Sequence, residues 1–344
     1  MNHKRYDGLD ILKAICALCV IFIHIPINGT LGEYIVALSR IGVPIFFMIT
    51  GFFYRNTIDN KKEVVQIKKI IFLIVSSSIV YFCVKIFPIC IHVNPIYEVK
   101  NMFSIKNIAK FIIFNESMFY NHLWYLNAIL YVLIICYLLK KLTCKWKKVL
   151  YIATPLLLMG DLILGKYSIL LFGREFPFVI VRNFLFVGIP YFSIGMYLND
   201  KKSQNNHTNN LKNVVLMILI IGVNILERYL LILLDVNTTR DHYLSTTFLA
   251  IIIFNIFADA SWNNMDLRIL KKIGREYSLM IYIIHPIFIR IIRSVSNAFS
   301  FNNIIENLKF LIVYVISIVF AVIYYKIKEK LCCKFSKSRI ILSR

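Results

Sequence analysis

An all-α membrane helix bundle of about ten transmembrane helices, polytopic and with both termini cytoplasmic, is the fold class this sequence predicts, on three observations. Of 344 residues, 59% are hydrophobic and only 17% charged, with mean hydropathy +0.70, a balance that water-soluble domains do not reach. The apolar residues come in recurrent blocks of about 20, the length of one bilayer crossing. Lys and Arg gather in short clusters between alternate blocks. The net charge of +22 is therefore first a topology signal, and nucleic acid is not an expected partner. No long polar stretch remains, so residues 1–344 read as a single membrane domain.

The expected spans are 9–27, 33–53, 69–92, 123–142, 150–164, 176–198, 211–234, 244–257, 277–292 and 308–327. The fifth and eighth are the shortest and the most open to tilt. Lys4 and Arg5 precede an apolar run that passes His24 and Pro26 without a small-residue cleavage site, so the first helix is expected to be retained. In the second span, Gly42 to Pro44 is expected to kink the helix and open space beside His24.

Orientation follows from the loops. Arg55, Lys61, Lys62, Lys68 and Lys69 fall on the side of the N-terminus. So do Lys140 to Lys148, Lys201, Lys202 and Lys212, then Arg268 to Arg275 and the basic tail, and that side is expected to be cytoplasmic. The opposite loops hold fewer cations, among them Lys166, Arg174 and Arg240. The longest, 93–122, is expected to carry an amphipathic helix over 105–114 along the interface. His122 and His242 read as solvated loop residues. The 8 cysteines suggest neither a disulfide framework nor a zinc site, and Cys16 and Cys19 lie within the first span.

Ionisable residues inside spans are costly and usually face a cavity. Here they are Lys13, His24, Arg40, Lys85, Arg182, Glu227, Arg228 and His285. Lys13 and His24 return to nearly one helical stripe about 16 Å apart, with Asp10 close to it. From periodicity alone two readings stand: the pair lines one channel, or Lys13 snorkels to headgroups and His24 is an interfacial histidine.

The run from Asp7 through Lys13 to His24 resembles the first-helix signature of acyltransferase-3 proteins, in which a basic residue, usually arginine, precedes a histidine with ten intervening positions. The resemblance continues in Arg40 to Phe53, with its Pro44, paired Phe46 and Phe47, and Gly51. It extends through His122-Leu-Trp-Tyr-Leu126, Gly188 to Gly195, and Tyr277 to Pro286, so it spans nearly the whole chain. Lys13, Leu123 to Leu126, Glu227-Arg228 and Arg240 to Tyr243 look most similar to the membrane domain of the vancomycin-resistance serine racemases. Only the membrane half of such a protein is expected here.

What the resemblance implies is O-acyl transfer, with acetyl the expected group, from cytoplasmic acyl-CoA (acetyl-CoA), a cosubstrate and not a bound cofactor. The acceptor would be a hydroxyl of an extracytoplasmic glycan or other cell-envelope component. Lys13, Arg40, Arg55 and Arg182 would draw in the CoA phosphates. His24 would be the general base. Thr50, Trp124, Tyr125 and Tyr282 are candidates for the acceptor pocket, with helix packing or interface anchoring the alternative for each. His285, before Pro286, is either a second site residue or relief for a broken helix. A different class of function, a permease or binding module for serine, would use Glu227, Arg228, Arg182 and Arg40 on a zwitterion. A scaffold with a vestigial site is a third reading. The expected location is the cell membrane, multi-pass.

Overall fold

The computed structural model describes residues 6–92, 95–202, 210–236, 242–299 and 303–342. Among these, the regular elements are all helical. In chain order they are α1 (Asp7–His24), α2 (Thr30–Ser39), α3 (Gly42–Asp59), α4 (Glu63–His92), α5 (Pro95–Met102), α6 (Ile105–Phe114), α7 (Trp124–Leu142) and α8 (Trp146–Leu164). There follow α9 (Ser168–Phe172), α10 (Phe178–Val181), α11 (Ile189–Lys202), α12 (Asn210–Leu233), α13 (Leu244–Phe257), α14 (Arg268–Lys272), α15 (Ser278–Phe299) and α16 (Asn303–Leu342).

Six stretches of the described residues are long and apolar enough to cross a membrane: Thr30–Asp59, Glu63–Ile86, Asn121–Leu142, Leu211–Leu233, Arg268–Phe299 and Ile305–Leu331. Lys4, Arg5, Arg240 and Asp241 lie outside the described residues. The helices sort into two compact units, Met1–Ser39 with Phe257–Arg344, and Arg40–Ile256.

In the first unit α1 is the hub. It packs on α2, α14, α15, α16 and a wide π-type turn, Ile273–Tyr277, that joins α14 to α15. The close approach depends on Gly274, where any Cβ would lie 1.6 Å from the Asp10 carbonyl oxygen. Tyr314 of α16 donates to the Ala14 carbonyl at 2.9 Å.

The second unit is centred on α3 and α11, with α8 alongside α11. A Cβ on Gly51 would meet the Phe192 carbonyl oxygen at 2.0 Å, and one on Gly195 the Met48 carbonyl oxygen at 2.0 Å. Small residues therefore let the two backbones touch, as helices in lipid require when no hydrophobic effect drives them together.

Two expected spans are interrupted. Helix stops at Ser39 and restarts at Gly42, ahead of Pro44 and not at it, because proline is tolerated in a first turn whose N–H groups have no partner anyway. In the 176–198 stretch, α10 ends before Asn183, which is extended (φ −142°, ψ −177°), and a π-type turn over Phe184–Gly188 leads into α11. Asn183 makes the break stable: its side-chain oxygen accepts from the Leu185 and Phe186 amides at 2.9 and 3.1 Å. The expected amphipathic helix is present as α6, with Ile105, Ile112 and Ile113 exposed.

Candidate functional site

At the N-terminal turn of α1, Asp7 and Asp10 are buried where the helix dipole favours anions. Buried carboxylates need cations, and three arrive. Lys13 Nζ lies 3.1 Å from Asp10 Oδ1, and Arg275 Nε 2.9 Å from Asp10 Oδ2. Arg275 Nη2 is 3.5 Å from Asp7 Oδ1, and Lys271 Nζ 3.0 Å from Asp7 Oδ2. Lys271, counted above among loop cations that mark topology, is in fact buried, and it also donates to the Met265 carbonyl at 2.8 Å. Gly274 lets the turn approach the Asp10 backbone, beside which the neighbouring Arg275 pairs with Asp10.

His24 is the last residue of α1 and is exposed. Its ring lies 5.5 Å from that of His285 on α15, centroid to centroid. His285 is fully buried, with Nδ1 3.1 Å from the Ile281 carbonyl oxygen. A carbonyl only accepts, so Nδ1 carries the proton there, and Nε2 is the nitrogen left to accept when the ring is neutral. Tyr282 completes the group, its ring 6.1 Å from that of His285. Helix α15 runs on through Pro286, so His285 both serves its own backbone and faces His24. The structure thus brings together His24, His285 and Tyr282, and places Lys13 eleven residues before His24 on the same helix, about 16 Å away along the axis.

The remaining candidates belong to the second unit. The Arg182 guanidinium lies over the Trp124 ring at 5.4 Å and the Phe178 ring at 4.8 Å. Trp124 is held by Asn115, fully buried, whose Nδ2 donates to the Trp124 carbonyl and whose Oδ1 accepts from the Phe184 amide. Tyr125 packs edge-on against Phe47 at 4.7 Å and hydrogen-bonds Thr50. Arg55 sits near Asp200 at 3.5 Å and Asp59 at 3.8 Å, and Asp200 also takes Lys147 at 2.9 Å. Arg40, half-buried, lies in the turn between α2 and α3.

Glu227 has its carboxylate committed. It accepts from the Leu244 amide at 2.7 Å, the Ser245 amide at 3.0 Å, the Ser245 hydroxyl and the Tyr167 hydroxyl, so it caps the start of α13. Burial, and then the Glu227 carboxylate, raise the Tyr167 phenol and keep it a donor. Arg228, fully buried, donates to the Val236 carbonyl at 3.2 Å.

Two histidines read as solvated are not. His122 is buried, its ring 4.7 Å from that of Tyr81 and 5.1 Å from that of Tyr120. His242 Nδ1 pairs with buried Asp161 at 2.8 Å, and Lys166, also fully buried, lies under the Tyr243 ring at 4.3 Å. Asp161 lies in an apolar stretch at the end of α8, and an isolated carboxylate in such a run is the signal that would have pointed to a buried partner.

Long apolar helices, charges gathered at one end of α1 and paired imidazoles at the other define a membrane protein with polar chemistry inside its helical frame. The profile of a family described as an acyltransferase domain matches residues 6–326, and the chain belongs to that family. Acyl transfer by a membrane protein is the activity which that membership carries. The chain is also similar to an amino-acid racemase of Enterococcus faecalis, 27% identical over 372 residues that cover 100% of this chain and 49% of the racemase. It therefore spans about half the length of that curated relative. No solved structure matches it.

Proposed function

We propose that the chain is an O-acyltransferase of the cell membrane that moves an acyl group, acetyl in the first instance, from cytoplasmic acyl-CoA to a hydroxyl of an extracytoplasmic glycan or other cell-envelope acceptor. The observation that carries this reading is the His24–His285 pair at one end of α1, with the Lys13 and Arg275 cluster toward the other. Lys13 supplies a point charge and Arg275 a planar fork for the CoA phosphates, and Arg40, Arg55 and Arg182 are further candidates for that role by residue type.

His24 takes the proton from the acceptor hydroxyl as its oxygen attacks the thioester carbonyl carbon. The carbon–sulfur bond then breaks, and the proton goes from His24 to the departing thiolate. His285 and Tyr282 orient the ring of His24, and Thr50, Trp124 and Tyr125 remain candidates for acceptor binding by residue type. The serine-permease reading is not favoured, since Glu227 already spends both carboxylate oxygens on α13 and Tyr167.

The test is binding and turnover of acetyl-CoA by detergent-purified protein. Lys13→Ala is expected to weaken binding. His24→Ala is expected to retain binding and lose transfer by about 100-fold or more, the contribution of a positioned general base. Full transfer by His24→Ala would overturn the mechanism.

A further inference from the structure

Beyond His285, α15 carries two exposed arginines one turn apart, Arg290 and Arg293, on adjoining positions of one face. Arg293 Nη2 donates to the carbonyl oxygen of His24 at 2.8 Å, which makes its guanidinium a direct neighbour of the proposed base. Among the described residues, no carboxylate pairs with either arginine. Glu306 is held instead by Ser296 and by buried Lys309. A guanidinium has five N–H donors in a planar fork, and both arginines are exposed, with Arg293 giving Nη2 to the His24 carbonyl. The expected topology leaves this side poor in cations, so orientation in the membrane does not account for two arginines here.

We infer that Arg290 and Arg293 form an anion subsite beside His24 that takes a phosphate group carried by the acyl acceptor. The inference rests on the transfer reading above and adds to it the acceptor's class: a hydroxyl-bearing molecule with a phosphodiester or phosphomonoester near the acylated hydroxyl. The guanidinium fork matches two phosphate oxygens, and anchoring the phosphate there brings a nearby hydroxyl to His24. A lipid headgroup offers the same phosphate chemistry, so the experiment separates the two sources.

Binding is read first, because it needs no turnover. The full chain is placed in neutral phosphatidylcholine nanodiscs and titrated with a glycerol phosphate oligomer, and separately with a neutral polyol of equal length. The oligomer is expected to bind more tightly, by on the order of tenfold per arginine engaged. The Arg290→Gln, Arg293→Gln double variant is expected to lose that preference while keeping its affinity for acetyl-CoA, and the corresponding double lysine variant to recover part of it.

Equal binding of the two ligands by the unaltered protein overturns the subsite. So does a preference that survives in the glutamine variant. If the variant instead loses only its retention of anionic phosphatidylglycerol, the arginines hold a lipid headgroup and the acceptor assignment fails. Oligomer binding that depends on the arginines, in a protein that neither binds nor turns over acetyl-CoA, would sink the transfer reading and leave the anion site standing.

Discussion

Lys13 stands where the resembling family usually has arginine, and its ammonium is a point charge without the bidentate fork. In this structure the fork comes from Arg275, which shares Asp10 with Lys13. Arg275→Gln is therefore expected to weaken acetyl-CoA binding at least as much as Lys13→Ala. It should also destabilise the fold by about 1–3 kcal/mol, less than a fully buried pair costs because Arg275 is itself 38% exposed. A drop in the midpoint of thermal unfolding, together with a titration of acetyl-CoA, checks both parts, and Arg275→Lys should restore stability better than phosphate affinity. At this level periodicity places Lys13 and His24 on nearly one helical stripe, and His285 stands out only as an ionisable residue within an apolar span. Asp7, Asp10, Lys271 and Arg275 are not legible as one cluster, because their pairing spans more than 250 residues of sequence, 265 between Asp10 and Arg275. The pairing of His242 is hidden for the same reason, since its carboxylate partner Asp161 lies 81 residues earlier.

Breaks in helices do as much as the helices to shape the second unit. Asn183 satisfies two amides at the interruption before α11, so Asn183→Ala is expected to cost about 1 kcal/mol, as loss of a helix cap does. The readout is thermal unfolding in detergent, and a neutral result would mean that water or another side chain takes over the two amides. Gly51→Leu or Gly195→Leu puts side-chain atoms where backbone carbonyls already sit, and each is expected to destabilise by at least about 1–3 kcal/mol or to prevent assembly. Gly222→Leu, on α12, where no atom lies within 4 Å of the added Cβ, is the matched control and should be nearly silent. Most helix limits were visible in the apolar blocks. The interruption at Asn183 was not, because a single asparagine between apolar residues reads equally well as part of a span.

For the molecule as a whole, the family match over residues 6–326 takes in residues of both compact units. Of the cations that the expected topology assigns to the cytoplasmic side, Arg55 and Lys147 share Asp200 and Lys140 pairs with Glu63. The expected cytoplasmic orientation makes a direct prediction at Cys144, which is free and exposed in the turn between α7 and α8. With Cys144 as the sole cysteine, a membrane-impermeant maleimide should label inverted vesicles and spare intact cells. Labelling of intact cells would reverse the assigned orientation, and with it the side from which acyl-CoA enters.

Composition and periodicity by themselves determined the all-helical membrane class, most of the apolar helices and the shared stripe of Lys13 and His24, because burial in lipid and helical repeat are local properties of the chain. Only tertiary structure decided which charges neutralise one another, that His285 faces His24, that Glu227 caps a helix and that Arg293 touches the carbonyl of His24. Those are pairings between distant segments, set by where helices cross and where glycine lets their backbones meet, and no local pattern encodes them.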